Sequence, residues 1–217
     1  MSVYKNKYIE LQQELSAKGV VLIAVSKTKP PEDILQLYEL GQRDFGENYV
    51  QELIEKQASL PKDIRWHFIG HLQSNKVKYI APFIYLIHGI DSLKLLREVD
   101  KQGLKYNRKI DVLLQAYIAK EDTKFGLDIS ELDEIVQSFP TFNYLNIKGL
   151  MGMASMTDDI SQVNSEFEHL KQLFGKYSLL DPSFSILSMG MSGDYKIALE
   201  HGSNMVRIGS LILGNRN

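Results

Sequence analysis

The chain has 217 residues, 44% of them apolar and 24% charged, with a formal net charge of −2 and no cysteine. That length and balance support a large buried core and exclude a disordered chain, and without a strongly basic stretch a nucleic-acid backbone is a poor partner. The missing cysteines remove disulfides, thiolate-bound zinc, iron–sulfur clusters and thiol catalysis.

No apolar run approaches the roughly 18 residues of a membrane-spanning helix. The opening MSVYKNKYIELQQELSAKG is too polar for a secretory leader, so the cytoplasm is the expected compartment. Within it Tyr4, Tyr8, Leu11 and Leu15 recur at helical spacing and predict an amphipathic helix over about 1–18, which Gly19 ends. Short apolar runs then alternate with amphipathic stretches. The runs occupy 20–26, 43–46, 65–70, 83–90, 110–117, 145–152, 184–190 and 204–209, and several lack in–out alternation, as parallel strands covered on both faces do.

Helix signals fall between the runs. Asn48 and Gln51 read as a capping box opening the helix YVQELIEKQ. Ser92 precedes a stripe of Leu93, Leu96 and Val99, and Ser130 precedes Leu132, Ile135 and Val136 before Pro140 stops the helix. Ile160, Val163, Phe167, Leu170 and Phe174 carry the cleanest 3.6-residue period. Ser192 and Gly202 bracket a last short helix, as N-cap and C′ glycine. Eight strand candidates in strict alternation with helices, with no linker and no repeat, predict a single-domain (β/α)8 (TIM) barrel over 1–217 with an extra N-terminal helix. A doubly wound sheet is the alternative, but no GxGxxG follows the first strand.

In a barrel the C-terminal strand ends face the mouth, and here they carry Lys27 in VSKTKP, Asn48 in GENYVQE, Ser192 in MGMSGD, and Arg207, Gly209 and Ser210 in VRIGS. A lysine at the end of an apolar run, with Lys29 and Arg207 nearby, is pushed toward the neutral amine that attacks aldehydes; alternatively it snorkels to water. Ser192 and Gly209 fit an anion cradle built from backbone amides, or a plain cap and a glycine turn. The Asn48 amide serves the cap, the mouth or both. His67 and His71 are four apart but straddle Gly70 with no acidic third ligand, so no metal site is expected. Trp66, Phe68 and Phe45 read as core.

The motifs VSKTKP, FGENYVQE, WHFIGHLQSNK, GLMGM and LSMGMSGDYKIALEHGSNMVRIG together resemble the pyridoxal-phosphate homeostasis family, over Val20 to Gly214. The resemblance implies a barrel similar to that of alanine racemase. It also implies pyridoxal 5′-phosphate held as a Schiff base on Lys27, its phosphate on Ser192, Gly209 and Ser210, its pyridine nitrogen facing Arg207, and Asn48 close by. Lys124 in TKFG matches a lysine proposed to handle the cofactor. Two departures are Ser203 where threonine is expected, and Ser210–Gly214 without the usual aromatic residue; neither touches Lys27.

An arginine at the pyridine nitrogen disfavours ring protonation and weakens the electron sink. A racemase also needs a second acid/base, for which the sequence offers no domain beyond the barrel. The expected function is therefore a monomeric carrier that holds the cofactor and delivers it to apo enzymes, with no partner nucleic acid or membrane and no established catalysis. The alternatives are an amino-acid racemase or lyase, with His71 or Tyr117 as acid/base, a Schiff-base aldolase and a partner-binding scaffold.

Overall fold

The structure, a computed structural model, describes residues 3–119 and 126–214. Helix α1 (Lys5–Ala17) buries Tyr8, Leu11 and Leu15, while Tyr4 lies just before it and stays exposed. Gly19 takes φ +68° at C′ and its amide donates to Ser16 O, as the sequence predicts for a glycine stop.

Every apolar run becomes a strand: β1 (Val21–Val25), β2 (Asp44–Glu47), β3 (Arg65–Phe68), β4 (Leu86–Ile90), β5 (Ile110–Gln115), β6 (Leu145–Met151), β7 (Ile186–Ser188) and β8 (Met205–Ile208). They pair in parallel in chain order, and β8 closes onto β1 with Val21 opposite Met205 and Ala24 opposite Ile208. Closure leaves no strand edge to protect, which is why the short β2 and β7 persist without help from length. The described helices that follow the strands are α2 (Pro31–Glu39), α3 (Val50–Ser59), α4 (Val77–Ile80), α5 (Leu93–Lys105), α6 (Ile129–Ser138), α7 (Ile160–Ser178), α8 (Tyr195–Glu200) and α9 (Ser210–Leu213). A tie from Tyr4 N–H to Ile212 O, 2.8 Å long, joins the chain before α1 to α9.

Apolar burial falls into two layers. A large one lies between strands and helices; a small one, Ile23, Leu86, Leu113, Met151 and Met205, is contributed by strands alone and fills the barrel interior. Phe45, Trp66 and Phe68 belong to the outer layer, as expected of core aromatics.

The helix starts differ from expectation in three places. Helix α6 is capped by Asp128, not Ser130: Asp128 Oδ1 accepts from Glu131 N–H at 2.8 Å while Glu131 Oε2 accepts from Asp128 N–H at 2.9 Å, a reciprocal box that leaves Ser130 inside the helix. Helix α8 starts after Asp194, three residues from the donor that Asp194 satisfies, Met191 N–H, so Ser192 sits in the preceding turn and is not an N-cap. Helix α3 starts after Tyr49, with no capping bond from Asn48, and Gln51 Nε2 instead reaches Glu55 one turn on. Ser92 does cap α5, accepting from Leu95 N–H, and Gly202 does follow α8 at φ +84°. In α7 the buried stripe is Val163, Phe167, Leu170, Leu173 and Tyr177, with Ile160 exposed and Phe174 half-buried.

Candidate functional site

Side chains alternate across a strand, so the interior position Ile23 projects in steps of two to Val25 and Lys27, and Met205 to Arg207 and Gly209. The same parity takes Gly46 to Asn48 and His67 to Ile69. Gly46 confirms the direction, since a Cβ there would stand 2.9 Å from Ile23 and 3.0 Å from Ile69. Val25, Lys27, Asn48, Ile69, Arg207 and Gly209 line one cleft of 360 Å³ beyond the C-terminal strand ends, together with Lys29, Met153, Met191, Ser192, Gly193, Ser210 and Gly214. All the residues singled out at the mouth, Lys27, Asn48, Ser192, Arg207, Gly209 and Ser210, are in that lining. Sequence reasoning missed Val25, Ile69 and Met153, although stepping by two along each apolar run reaches them.

The turn that carries Lys27 is clamped from outside the barrel. Ser26 Oγ donates to Glu47 Oε1 at 2.6 Å, and Lys56 Nζ, from α3, donates to Ser26 O and to Glu47 Oε1, both at 2.8 Å. Thr28 follows at φ +64°, a left-handed conformation that a β-branched residue adopts only when its surroundings impose it. What imposes it is Glu52, whose Oε1 accepts from Thr28 N–H and from Lys56 Nζ, each at 2.6 Å. Burial raises the Glu47 pKa to about 7 against the opposing pull of Lys56 and Ser26. The Lys27 backbone is thus fixed on both sides before any ligand arrives.

Opposite it, Arg207 is 4% exposed and its guanidinium is held by backbone and hydroxyl: Nη1 donates to Ser188 O at 2.9 Å and to Ser188 Oγ at 2.7 Å, and Nη2 to Gly152 O at 3.0 Å. Burial lowers its pKa to about 10, which still leaves a cation at neutral pH. Ser192 does not cap; its Oγ accepts from Gly209 N–H at 3.3 Å and so ties the β7 and β8 turns together. Ser210, the first residue of α9, lines the cleft, and its amide has no acceptor within its own helix. Gly70 permits the wall to close, since a Cβ there would fall 2.4 Å from Asn48 O.

The lining contains no carboxylate among the described residues. Its polar members are cations, hydroxyls and amides, and Asn48 Oδ1 is buried with no hydrogen-bond partner. That donor-rich set fits an anionic ligand with a flat apolar part between Ile69, Met153 and Val25. His71 lies in an adjoining cleft, its Nδ1 2.9 Å from Asp91, and neither it nor Tyr117 lines the mouth. Lys124 lies outside the described residues. His67 and His88 are buried strand residues, and among the described residues no cluster of histidine and carboxylate has the geometry to hold a metal.

The alanine racemase N-terminal domain family matches residues 4–217. A curated relative from Pasteurella multocida, named pyridoxal phosphate homeostasis protein, is 39% identical over 95% of this chain and 91% of its own length. The chain belongs to the pyridoxal phosphate homeostasis protein family. A member of the same name from Schizosaccharomyces pombe is 38% identical over 95% of this chain and 89% of its own. Among solved structures, PipY of Synechococcus elongatus PCC7942 with PLP bound superposes at a TM-score of 0.88 with 32% identity, over 96% of this chain and 99% of that one. The alanine racemase of Bartonella henselae shares the fold at a TM-score of 0.75 and 20% identity, and the match takes up 56% of that longer chain. The family is thus a barrel of which the racemase carries a version plus further chain. No helix among the described residues is long and apolar enough to cross a membrane.

Proposed function

We infer that this protein binds pyridoxal 5′-phosphate in the mouth cleft and holds it for delivery, as part of the cell's control of that cofactor. One observation carries the reading: Lys27, Arg207 and the turns at Ser192, Gly209 and Ser210, distant in sequence, line one cleft free of carboxylates among the described residues. When bound, the cofactor would supply an aldehyde that condenses reversibly with a primary amine, and Lys27 is the residue of the lining that would provide that amine. Ser192, Gly209 and Ser210 offer a hydroxyl and backbone amides to the phosphate. Arg207, a cation fixed by Ser188 and Gly152, would hold the ring nitrogen and disfavour its protonation. Asn48 lines the same cleft, and its unpartnered Oδ1 would accept from a ligand donor.

The carrier reading is favoured over a racemase or lyase because the lining offers lysines but no histidine, tyrosine or carboxylate for the second proton transfer among the described residues. The protein works as a monomer in the cytoplasm, and apo enzymes that need the cofactor are its recipients. Titration with pyridoxal 5′-phosphate tests this: the wild type develops a visible absorption band that saturates at one equivalent, and Lys27→Ala does not. An identical band in Lys27→Ala contradicts the reading. Solvent deuterium appearing at Cα of an amino acid, dependent on Lys27, replaces it with the racemase or lyase.

A further inference from the structure

A chain of buried polar side chains crosses the barrel interior below the cleft. Arg207 Nη1 is 2.7 Å from Ser188 Oγ, which is 3.2 Å from His88 Nδ1; His88 Nε2 is 3.0 Å from His67 Nδ1, and His67 Nε2 is 3.0 Å from Asp44 Oδ1. Ser188, His67 and His88 have no exposed surface. Arg65 pairs with Asp44 through both Nε and Nη2, fixing the far end as a carboxylate.

The direction of every hydrogen bond follows from the two ends. A carboxylate only accepts, so His67 Nε2 carries a proton. A neutral His67 then has a lone pair on Nδ1, so His88 Nε2 must donate to it. A neutral His88 likewise has a lone pair on Nδ1, which takes the Ser188 hydroxyl proton. Ser188 Oγ is left as acceptor toward Arg207, a group that only donates. The accounting closes without a remainder, and burial of both imidazoles lowers their pKa values and keeps them neutral. The reverse order sets a lone pair of His67 against the Asp44 carboxylate.

We propose that Ser188, His88 and His67, both imidazoles as Nε2–H tautomers, form a one-way hydrogen-bond relay from Arg207 to Asp44 that positions the Arg207 guanidinium for the cofactor ring. The proposal rests on the reading of Arg207 given above. Each dipole turns its negative end toward Arg207 and its positive end toward Asp44, so the relay stabilises both buried charges at once. Arg207 spends three N–H groups on Ser188 and Gly152 and keeps Nε–H and one on Nη2, which bond nothing among the described residues. Other charged or titratable neighbours are Arg65 and Tyr85 at His67, and Asp194 at Arg207. Ser188, His88 and His67 are positioning residues, since none lines the cleft.

Two measurements test it. Nitrogen NMR of ¹⁵N-histidine-labelled protein without cofactor reads the tautomers directly; the expected result is His67 and His88 both neutral and protonated at Nε2 at pH 7. A charged imidazole, or an Nδ1–H form at either residue, overturns the relay whatever the cofactor does. In cofactor-loaded protein, Ser188→Ala cuts the link between His88 and Arg207, so the visible band shifts, while the His88 tautomer, still set from Asp44 through His67, and attachment at Lys27 persist; Ser188→Thr restores the band. An unshifted band in a folded Ser188→Ala protein overturns the positioning role. A protein that takes up no cofactor refutes the binding reading instead and leaves the tautomer result standing.

Discussion

Glu47 has no exposed surface and sits at the centre of the clamp behind Lys27, between Ser26 and Lys56. Its pKa, about 7 in the fold, exceeds the ordinary 4.5, because burial penalises the carboxylate more than its partners repay. The folded state therefore holds a proton that the unfolded chain releases between these values. This proton contributes stability that is fully present below about pH 4.5 and is lost as pH rises through about 7, by up to ~3 kcal/mol at 1.36 kcal/mol per unit. Thermal or urea denaturation of wild type and Glu47→Gln, compared at each pH, checks this: the wild type loses stability relative to the variant from pH 5 to pH 8. A constant difference contradicts it. The clamp itself was not legible in the sequence. Lys27 stands out as a charge ending an apolar run, whereas nothing in the sequence pairs Glu47 with Lys56, nine residues on. Only the packing of α3 on β2 buries both.

At the scale of elements, strands were readable because an apolar run covered on both faces leaves a continuous signal, and all the runs formed strands. Caps were less readable, because Ser, Asp and Asn compete for the same role and spacing alone does not choose among them. At α6 the winner was the residue whose N3 partner is a glutamate: Asp128 with Glu131. Asp128→Ala removes the side-chain half of that box, the Oδ1 that accepts from Glu131 N–H, and is expected to cost about 1 kcal/mol; Ser130→Ala, at the position the sequence favoured, costs much less. Urea midpoints of the two variants decide between the caps. Phe167 in α7 has no exposed surface, so Phe167→Ala leaves a cavity and is expected to cost about 3–5 kcal/mol, read from the same denaturation curves. A loss within the error of Ile160→Ala, at an exposed position of the same helix, contradicts the observed α7 stripe.

For the whole molecule, closure of β8 onto β1 does the work of assembly. It brings Lys27, near the start of the chain, beside Arg207, near its end, and the two-residue alternation of each strand then decides which neighbours join them in the lining. Strand ends named the polar members of the cleft in advance; its apolar wall and the interior histidine relay became visible only when the register was known, because His67 and His88 sit in runs that read as uniform core. The central claim, that Lys27 is the point of covalent attachment, is tested most directly by borohydride reduction of cofactor-loaded protein followed by peptide mass mapping. The account predicts one modified peptide, containing Lys27, with the added mass of the reduced cofactor. Modification at Lys29, Lys124 or any other lysine, with Lys27 unmodified, contradicts it.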